Sequence, residues 1–339
     1  APTIGGSGPA SGTATPLRRS LARRVFRGVI MDGMTSRSGT ARSGDLELHY
    51  DEFGDPQDPA VLMIMGLGAQ MVYWREDFVR TIADAGYRVI RFDNRDIGLT
   101  TKLDGARVGG PALPLKLGYS LLGRPVGGAP YDLTDMAEDA RAVLDHLEIG
   151  RAHIVGASMG GMITQVFAAE HADRVDTATI IMSSNNKAFL PPPGPKQMRA
   201  LITPPPKGAG REKIIEHTTR LQGIIGSPVH PPRPEVAREH SREYFDRSYY
   251  PAGMVRQFAA ILGTGSLVEY NKRTTAPTLV LHGTHDKLMR PSGARAIADA
   301  IPGARLAMID GMAHDLPEPL WGQIVGELTT HFSAGRATG

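Results

Sequence analysis

One short run near the middle of the chain constrains the fold more than any other feature. Residues 153–155 are an apolar strand pattern, the run GASMG at 156–160 has the spacing G-x-S-x-G, and a helical pattern follows at 159–171. A serine held between a strand and a helix in this way lies on a tight, strained turn, so the residues two before and two after it must be small. The turn lifts the Ser158 hydroxyl to the N-terminus of the helix, where the partial positive charge favours a developing anion.

Strand and helix patterns alternate along the chain from about residue 45. Apolar runs typical of central parallel strands lie at residues 60–65, 88–92, 153–155, 177–182, 278–282 and 305–309. Amphipathic patterns typical of helices lie at residues 76–86, 133–147, 293–300 and 319–332. This alternation predicts an α/β fold with a mainly parallel, doubly wound sheet that is covered by helices on both faces.

Residues 184–271 interrupt the alternation. They contain twelve of the 26 prolines of the chain, including two Pro-Pro-Pro runs. Because a loop of this length is rarely without structure in a compact domain, we expect a cap (lid) of short helices over the carboxyl edge of the sheet, where open α/β sheets bind ligands. A smaller insertion at residues 104–130, rich in Gly, Pro and Leu, is expected to line the same cleft. The core is therefore assigned to residues 44–183 and 272–335.

Positive charge is concentrated at the N-terminus. Residues 1–43 contain seven arginines and one acidic residue, so they carry +6 and the rest of the chain −3. We interpret this segment as a basic, largely disordered arm, because its first sixteen residues are mainly Gly, Ser, Pro and Thr. Apolar residues recur every four positions from Leu17 to Val29, a pattern typical of a short basic amphipathic helix. Peripheral contact with an anionic membrane, packing against this or a neighbouring subunit, and a frayed tail all fit the pattern.

The composition excludes several classes of protein. The negative charge of the body argues against a nucleic-acid-binding surface. The absence of cysteine excludes disulfides, thiolate catalysis and Cys-ligated metals. No apolar run approaches the roughly eighteen residues that a bilayer span requires. Arg23-Arg24 resembles part of a twin-arginine export signal, but Arg27 and Asp32 interrupt the apolar region that should follow, so the sequence does not support export.

Two later segments supply the groups that a serine nucleophile needs. Residues 278–286 are an apolar strand pattern that runs into a turn ending in Asp286, and residues 309–314 reach His314 after a second strand and a glycine. A serine hydroxyl requires a base that is held by a third group. The chain order Ser, Asp, His is typical of one serine hydrolase fold. We therefore predict that Asp286 orients His314, and that the imidazole Nε2 faces Ser158.

Three neighbours of these residues are alternatives. His282 lies inside the strand pattern, where a structural hydrogen-bonding role is expected. His285 is an alternative base, although adjacent side chains point apart and would separate it from Asp286. Asp310 is an alternative to Asp286 as the acid.

Donors for an oxyanion are predicted at two backbone positions. One is the N–H of Met159, which follows the serine, and the other is the N–H of Leu67 in the loop after the first long apolar strand. Gly66 and Gly68 allow the main chain of that loop to approach a substrate closely. This chemistry needs no metal or organic cofactor.

Five motifs together resemble those of the α/β-hydrolase superfamily. They are IMGLGAQMVYW at 64–74, IRFDNRDIGLT at 90–100, GASMGG at 156–161, GTHD at 283–286 and GMAHD at 311–315. The sequence resembles in particular actinobacterial carboxylesterases and lipases, including mycobacterial-type proteins, and relatives of the aclacinomycin methylesterases. The likeness extends over about residues 45–335, with the insertion matching least.

The resemblance implies roles for individual residues. Ser158, Asp286 and His314 match the catalytic triad, and Leu67 and Met159 match the oxyanion donors. The residues Asp93, Arg95 and Gly98 match a turn that is usually structural in these proteins. One departure is that many members begin the oxyanion loop with His-Gly, whereas this chain has Met65-Gly66.

The expected function is that of a serine carboxylesterase or lipase. Its substrate would be a small-molecule ester with an apolar acyl or alcohol part, cleaved through an acyl-enzyme. Thioester cleavage, perhydrolysis and carbon–carbon bond hydrolysis use the same triad and stay open. A non-catalytic receptor for a small ligand is the alternative from another class. The sequence does not indicate an oligomeric state.

Overall fold

A computed structural model describes residues 36–336, and within them eight strands form one sheet. The strands are β1 (Arg37–Ser43), β2 (Leu46–Phe53), β3 (Ala60–Ile64), β4 (Arg88–Phe92), β5 (Ala152–Ala157), β6 (Val175–Ile181), β7 (Thr278–Gly283) and β8 (Arg305–Ile309). Their order in the sheet is β1-β2-β4-β3-β5-β6-β7-β8. Strand β2 pairs antiparallel with both β1 and β4, and all pairs from β4 to β8 are parallel.

Helices cover both faces of this sheet. Their bounds are α1 (Glu76–Ala83), α2 (Leu113–Leu121), α3 (Leu133–His146), α4 (Met159–Glu170), α5 (Pro195–Ile202), α6 (Arg211–Ile225), α7 (Pro234–Arg247), α8 (Pro251–Thr264), α9 (Val268–Arg273), α10 (Pro291–Ala300) and α11 (Trp321–Arg336). Short 3-10 turns lie at Met71–Tyr73, Ala172–Arg174 and Glu318–Leu320. Within the described residues, no helix combines the length and apolarity needed to cross a bilayer.

The continuous apolar runs of the central strands follow from burial on two sides. In β3, Leu62 and Ile64 belong to the hydrophobic cluster that contains α3 and α4 residues, whereas Val61 and Met63 belong to the cluster that contains α1 and α11 residues. Successive side chains of a strand point to opposite faces, so both sets must be apolar. The predicted α/β fold with a mainly parallel sheet is confirmed.

The end of the predicted N-terminal arm needs a correction. Residues 1–43 were expected to be a largely disordered arm, but Arg37–Ser43 form β1 and pair with β2 along their whole length. Only Ala41 of this strand is buried, because the strand lies at the edge of the sheet, so no apolar alternation marks it in the sequence. The arginine-rich amphipathic pattern from Leu17 to Val29, and with it the predicted membrane contact of the arm, lies outside the described residues.

Five helices, α5–α9, lie between β6 and β7, where the sequence predicted short helices. Two buried ion pairs join this insertion to the turn after β4. Arg247 at the end of α7 lies 2.8 Å from Asp93, and Arg256 of α8 contacts the two carboxylate oxygens of Asp96 through Nε at 2.5 Å and Nη2 at 2.7 Å. Asp93 also accepts the backbone N–H groups of Met71 and Leu99. The turn that the resemblance marks as structural therefore fixes the insertion to the sheet.

Candidate active site

Ser158 lies at the junction of β5 and α4 with a backbone that few non-glycine residues adopt. Its φ is 55° and its ψ is −117°, so the predicted strain at this position is present. The two glycines of the motif are required sterically. A Cβ atom at Gly156 would lie 2.1 Å from the carbonyl oxygen of Gly160, and a Cβ atom at Gly160 would lie 2.0 Å from the carbonyl oxygen of Ile64.

The structure brings the three predicted side chains into one hydrogen-bonded chain. His314 Nε2 lies 3.0 Å from Ser158 Oγ, and His314 Nδ1 lies 2.8 Å from Asp286 Oδ2. Asp286 is 2% exposed. Its other oxygen accepts the backbone N–H groups of Leu288 and Met289, both at 2.8 Å, which fixes the orientation of the carboxylate. An imidazole held in this way has one nitrogen oriented by the acid and the other facing the serine hydroxyl.

The three alternative residues do not reach the serine. His282 is fully buried and its Nε2 lies 2.7 Å from the carbonyl oxygen of Met289, in the structural role expected of it. Burial lowers the pKa of His282, which favours its neutral form, and the nearby Asp286 opposes this shift. His285 is exposed and its Nδ1 lies 2.9 Å from Thr284 Oγ1, while Asp310 accepts that same hydroxyl.

Two backbone N–H groups beside Ser158 have no hydrogen-bond acceptor among the described residues. They belong to Leu67 and Met159, the predicted oxyanion donors. The Met159 group is unpaired because it is the first N–H of α4, where no preceding turn supplies a carbonyl. The chain at Gly66 passes so close to the serine that a Cβ atom there would lie 3.0 Å from Ser158 Cβ. Leu67, Met159 and Ser158 are all lining residues of one cavity.

The loop that carries Leu67 is held by residues that the sequence reasoning missed. Gln257 of α8 accepts the N–H of Gly68 at 2.8 Å, and the Tyr244 hydroxyl of α7 donates to the carbonyl oxygen of Gly68. Asn94, after β4, donates to the carbonyl oxygen of Met65 at 2.8 Å. The loop is therefore held by the insertion on one side and by the turn after β4 on the other. Gln257 is 189 residues from Gly68, and no local pattern signals such a contact.

The loop that carries His314 is also tied to the insertion. The N–H of His314 donates to the carbonyl oxygen of Ile225 at 3.1 Å, and the N–H of Ala313 donates to Ser227 Oγ at 2.8 Å. The Ser227 hydroxyl in turn donates to Asp315. Burial raises the pKa of Asp315, and the hydrogen bond from Ser227 opposes that rise. A second titratable carboxyl group, that of the last residue of the motif GMAHD, thus lies directly beside the predicted base.

A cavity of about 1890 Å³ surrounds these groups. Its walls come mainly from the loop after β3, the start of α4, the segment 108–121 that contains α2, the insertion from residue 184 to α8, and the loops at 288–293 and 314–321. Residues 108–121 of the smaller insertion thus line the same cleft, as expected from the sequence. Most of the lining side chains are apolar, and Ser158 and His314 lie in the wall of this cavity. Among the described residues, no group of three or more His, Asp or Glu side chains is arranged to hold a metal ion.

A family model described as "alpha/beta hydrolase fold" matches residues 59–318, about three quarters of the chain. The chain belongs to the α/β-hydrolase family. The resemblance inferred from the five motifs is therefore confirmed, and the site described above occupies the carboxyl edge of an α/β-hydrolase sheet.

Relatives of this α/β hydrolase cover most of its length. It is 25% identical over 308 residues to the rhodomycin D methylesterase of Streptomyces sp. (strain C5). The match covers 86% of this chain and 96% of that protein. It is 27% identical over 293 residues to a 2-hydroxy-6-oxononadienedioate/2-hydroxy-6-oxononatrienedioate hydrolase of Cupriavidus pinatubonensis. This match covers 84% of this chain and 91% of that protein. A solved structure also superposes on this chain, that of a 2-hydroxy-6-oxo-6-phenylhexa-2,4-dienoate hydrolase from Rhodococcus sp. strain RHA1. The TM-score is 0.69 at 20% identity, and the superposition covers 89% of this chain and all of that one. This likeness shows the fold.

Proposed function

We propose that this α/β hydrolase is a serine carboxylesterase or lipase. The observation that carries the proposal is the continuous chain from Asp286 through His314 to Ser158, with distances of 2.8 and 3.0 Å, beside two free backbone N–H groups. The methylesterase name of the Streptomyces relative supports an ester as the substrate. We further propose that residues 184–271 act as a cap over the site.

In the proposed reaction, His314 Nε2 takes the proton of Ser158 Oγ as the oxygen attacks the ester carbonyl carbon. The carbonyl oxygen becomes an oxyanion that accepts the N–H groups of Leu67 and Met159. Collapse of this intermediate breaks the bond to the alcohol, which leaves with the proton from His314 and yields an acyl-enzyme. Water, deprotonated by the same imidazole, then attacks the acyl carbon and releases the acid and the free serine.

The size of the cavity supports a bulky substrate. Its volume of about 1890 Å³ exceeds the roughly 300–1,000 Å³ of most small-molecule pockets. Its apolar walls favour an ester with a large apolar acyl or alcohol group. We therefore propose that kcat/KM rises from p-nitrophenyl acetate to esters with longer acyl chains.

The test compares p-nitrophenyl ester hydrolysis by the wild type, Ser158→Ala and the control Ser333→Ala. Removing the nucleophile should reduce turnover by a factor on the order of 10⁶. Ser333 is exposed on α11, so its removal should leave turnover unchanged. An alkyl fluorophosphonate should transfer its phosphonyl group to Ser158 Oγ of the wild type, with release of fluoride, and should not modify Ser158→Ala. A chain that binds esters but shows no Ser158-dependent rate would be a receptor, and the proposal would fail.

A further inference from the structure

Helix α2 has an inverted distribution of polar and apolar side chains. Its one charged residue, Lys116, is buried and donates to the carbonyl oxygen of Gly109 at 2.6 Å. By contrast, Leu115, Tyr119 and Leu122 are 54%, 38% and 46% exposed. These three positions follow the i, i+4, i+7 spacing that places side chains on one face of a helix. The apolar stripe of α2 and its C-cap therefore faces solvent, where a helix of a soluble domain normally places its charges.

The exposed apolar surface continues beyond α2. Phe189 is 74% exposed, and its N–H donates to the carbonyl oxygen of Leu121 at 2.8 Å, so the chain after β6 lies directly beside the end of α2. Ten large hydrophobic side chains are exposed among the described residues, and seven of them belong to the segments 105–131 and 177–210. We name these seven the apolar rim: Leu113, Leu115, Tyr119, Leu121, Leu122, Phe189 and Ile202.

The charged side chains of the segments 105–131 and 177–210 are all positive. Neither segment contains Asp or Glu, and together they carry six exposed cations, which are Arg107, Arg124, Lys187, Lys196, Arg199 and Lys207. Among residues 36–336, none of the six forms an ion pair, although Arg211 and Arg238 of the neighbouring α6 and α7 each pair with a carboxylate. Arg124 and Lys187 each lie two residues from a rim side chain. The rim is therefore flanked by unneutralised positive charge.

The apolar rim is continuous with the wall of the cavity. Leu113, Leu121 and Ile202 are exposed and also line the cavity that contains Ser158. In contrast, Leu115, Leu122 and Phe189 are exposed without lining it. Part of the rim thus lies where the cavity that contains Ser158 meets the surface of the molecule.

We propose that the apolar rim docks on an anionic phospholipid surface, so that the opening of the cavity faces the lipid. Exposed apolar side chains flanked by unpaired Lys and Arg are the combination that favours binding at a negatively charged bilayer interface. A second copy of the chain fits less well, because a two-fold contact would place the cations of one rim against those of the other. If the proposed esterase function holds, the substrates include apolar esters dissolved in the lipid, which enter the cavity without crossing water.

The docking step can be tested separately from hydrolysis. The chain has no cysteine, so Leu122→Cys in the Ser158→Ala background gives a single site for an environment-sensitive fluorophore. Mixing with phosphatidylcholine–phosphatidylglycerol vesicles should shift its emission to the blue, and phosphatidylcholine vesicles alone should shift it much less. A fluorophore at Arg42→Cys, on the edge strand β1, should report no change. Equal shifts at the two positions, or no shift at position 122, would overturn the proposal.

A second experiment measures the partition of the full chain onto the same anionic vesicles. The double variant Leu115→Ser/Phe189→Ser should bind at least about tenfold more weakly than the wild type, because two large apolar side chains no longer enter the interface. The control Leu99→Ser, at a leucine about as exposed as Leu115 but outside both segments, should bind like the wild type. Hydrolysis of p-nitrophenyl acetate should be unchanged in both variants.

The N-terminal arm is present in all of these proteins. If the double variant binds as tightly as the wild type, docking proceeds through the arm or another surface, and the proposal is wrong. Self-association that is lost in the double variant, without vesicle binding by the wild type, would instead identify a second copy as the occupant. Loss of hydrolysis with docking intact would count against the esterase function alone.

Discussion

Asp286 divides its two oxygens between two tasks: Oδ2 lies 2.8 Å from His314 Nδ1, and Oδ1 accepts two backbone N–H groups. In Asp286→Asn, the amide oxygen is expected to stay on the backbone donors, so the NH₂ group faces His314. Two donors cannot face each other, and the imidazole must then carry its proton on Nε2, where it cannot accept the proton of Ser158. We expect kcat to fall by roughly 10³–10⁴ with little change in stability.

A matched control for this substitution is Asp310→Asn. Asp310 is exposed and accepts the Thr284 hydroxyl, and it makes no contact with His314. Its kcat for a p-nitrophenyl ester should equal that of the wild type. If the Asp310 variant loses turnover while Asp286→Asn retains it, the acid has been assigned to the wrong residue.

Gly160 and Ile64 define how closely α4 approaches β3. In Gly160→Ala, the new methyl group would lie 2.0 Å from the carbonyl oxygen of Ile64, which is backbone and cannot rotate away. Overpacking of this kind costs about 3 kcal/mol or more in the free energy of unfolding. Urea denaturation should show this loss. Gly150→Ala, where the added methyl group would meet no atom within 4 Å, should have a free energy of unfolding close to that of the wild type. A Gly160→Ala protein of full stability would show that the turn can open, against the proposed steric requirement.

Ser227 is expected to position the loop that carries His314. Ser227→Ala removes the acceptor for the N–H of Ala313 and the donor to Asp315. Losing one such hydrogen bond corresponds to roughly a tenfold decrease in kcat if the imidazole moves away from the serine. Ser227→Thr keeps the hydroxyl and should restore most of the rate. An Ala variant with lower stability but an unchanged kcat would mean that Ser227 supports the fold only.

The sequence predicted the central elements well because their patterns have local causes. The runs at 60–65 and 278–282 correspond to β3 and β7, which are mainly apolar because they are buried along their whole length. The turn at Ser158 was predictable since a strand, two small residues and a helix are adjacent in the chain. Strand β1 was missed because an exposed edge strand has no apolar alternation.

The insertion was harder to predict, and its prolines explain why. The proline-rich segment interrupts the strand–helix alternation of the sequence, and prolines occupy the first turns of α5, α7 and α8, where the missing N–H costs nothing. The pattern therefore marked where helices begin. The contacts of Gln257 and Ser227 with the two loops of the site depend on how the insertion folds back on the sheet. Such long-range hydrogen bonds have no signature in one sequence.

Asp315 gives the site a pH-dependent stability with a definite sign. Because burial raises its pKa in the folded state, the folded protein holds this proton more tightly than the unfolded chain does. The stability it contributes is complete below the ordinary aspartate pKa and is lost as the pH rises through the raised value. Asp315→Asn stays neutral and keeps an oxygen that can accept the Ser227 hydroxyl. We therefore expect the variant to be more stable than the wild type at neutral pH and to lose this advantage in acid.

The measurement is urea denaturation of Asp315→Asn and the wild type across a pH series. The difference between their free energies of unfolding isolates the titration of residue 315. The hydrogen bond from Ser227 opposes the rise in the pKa of Asp315, so Ser227→Ala should raise that pKa further. The stabilising effect of Asp315→Asn at neutral pH should then be larger in the Ser227→Ala background, as a double-mutant cycle would record. A difference that does not vary with pH, or one that grows in acid, would show that burial does not set the pKa of this carboxyl group.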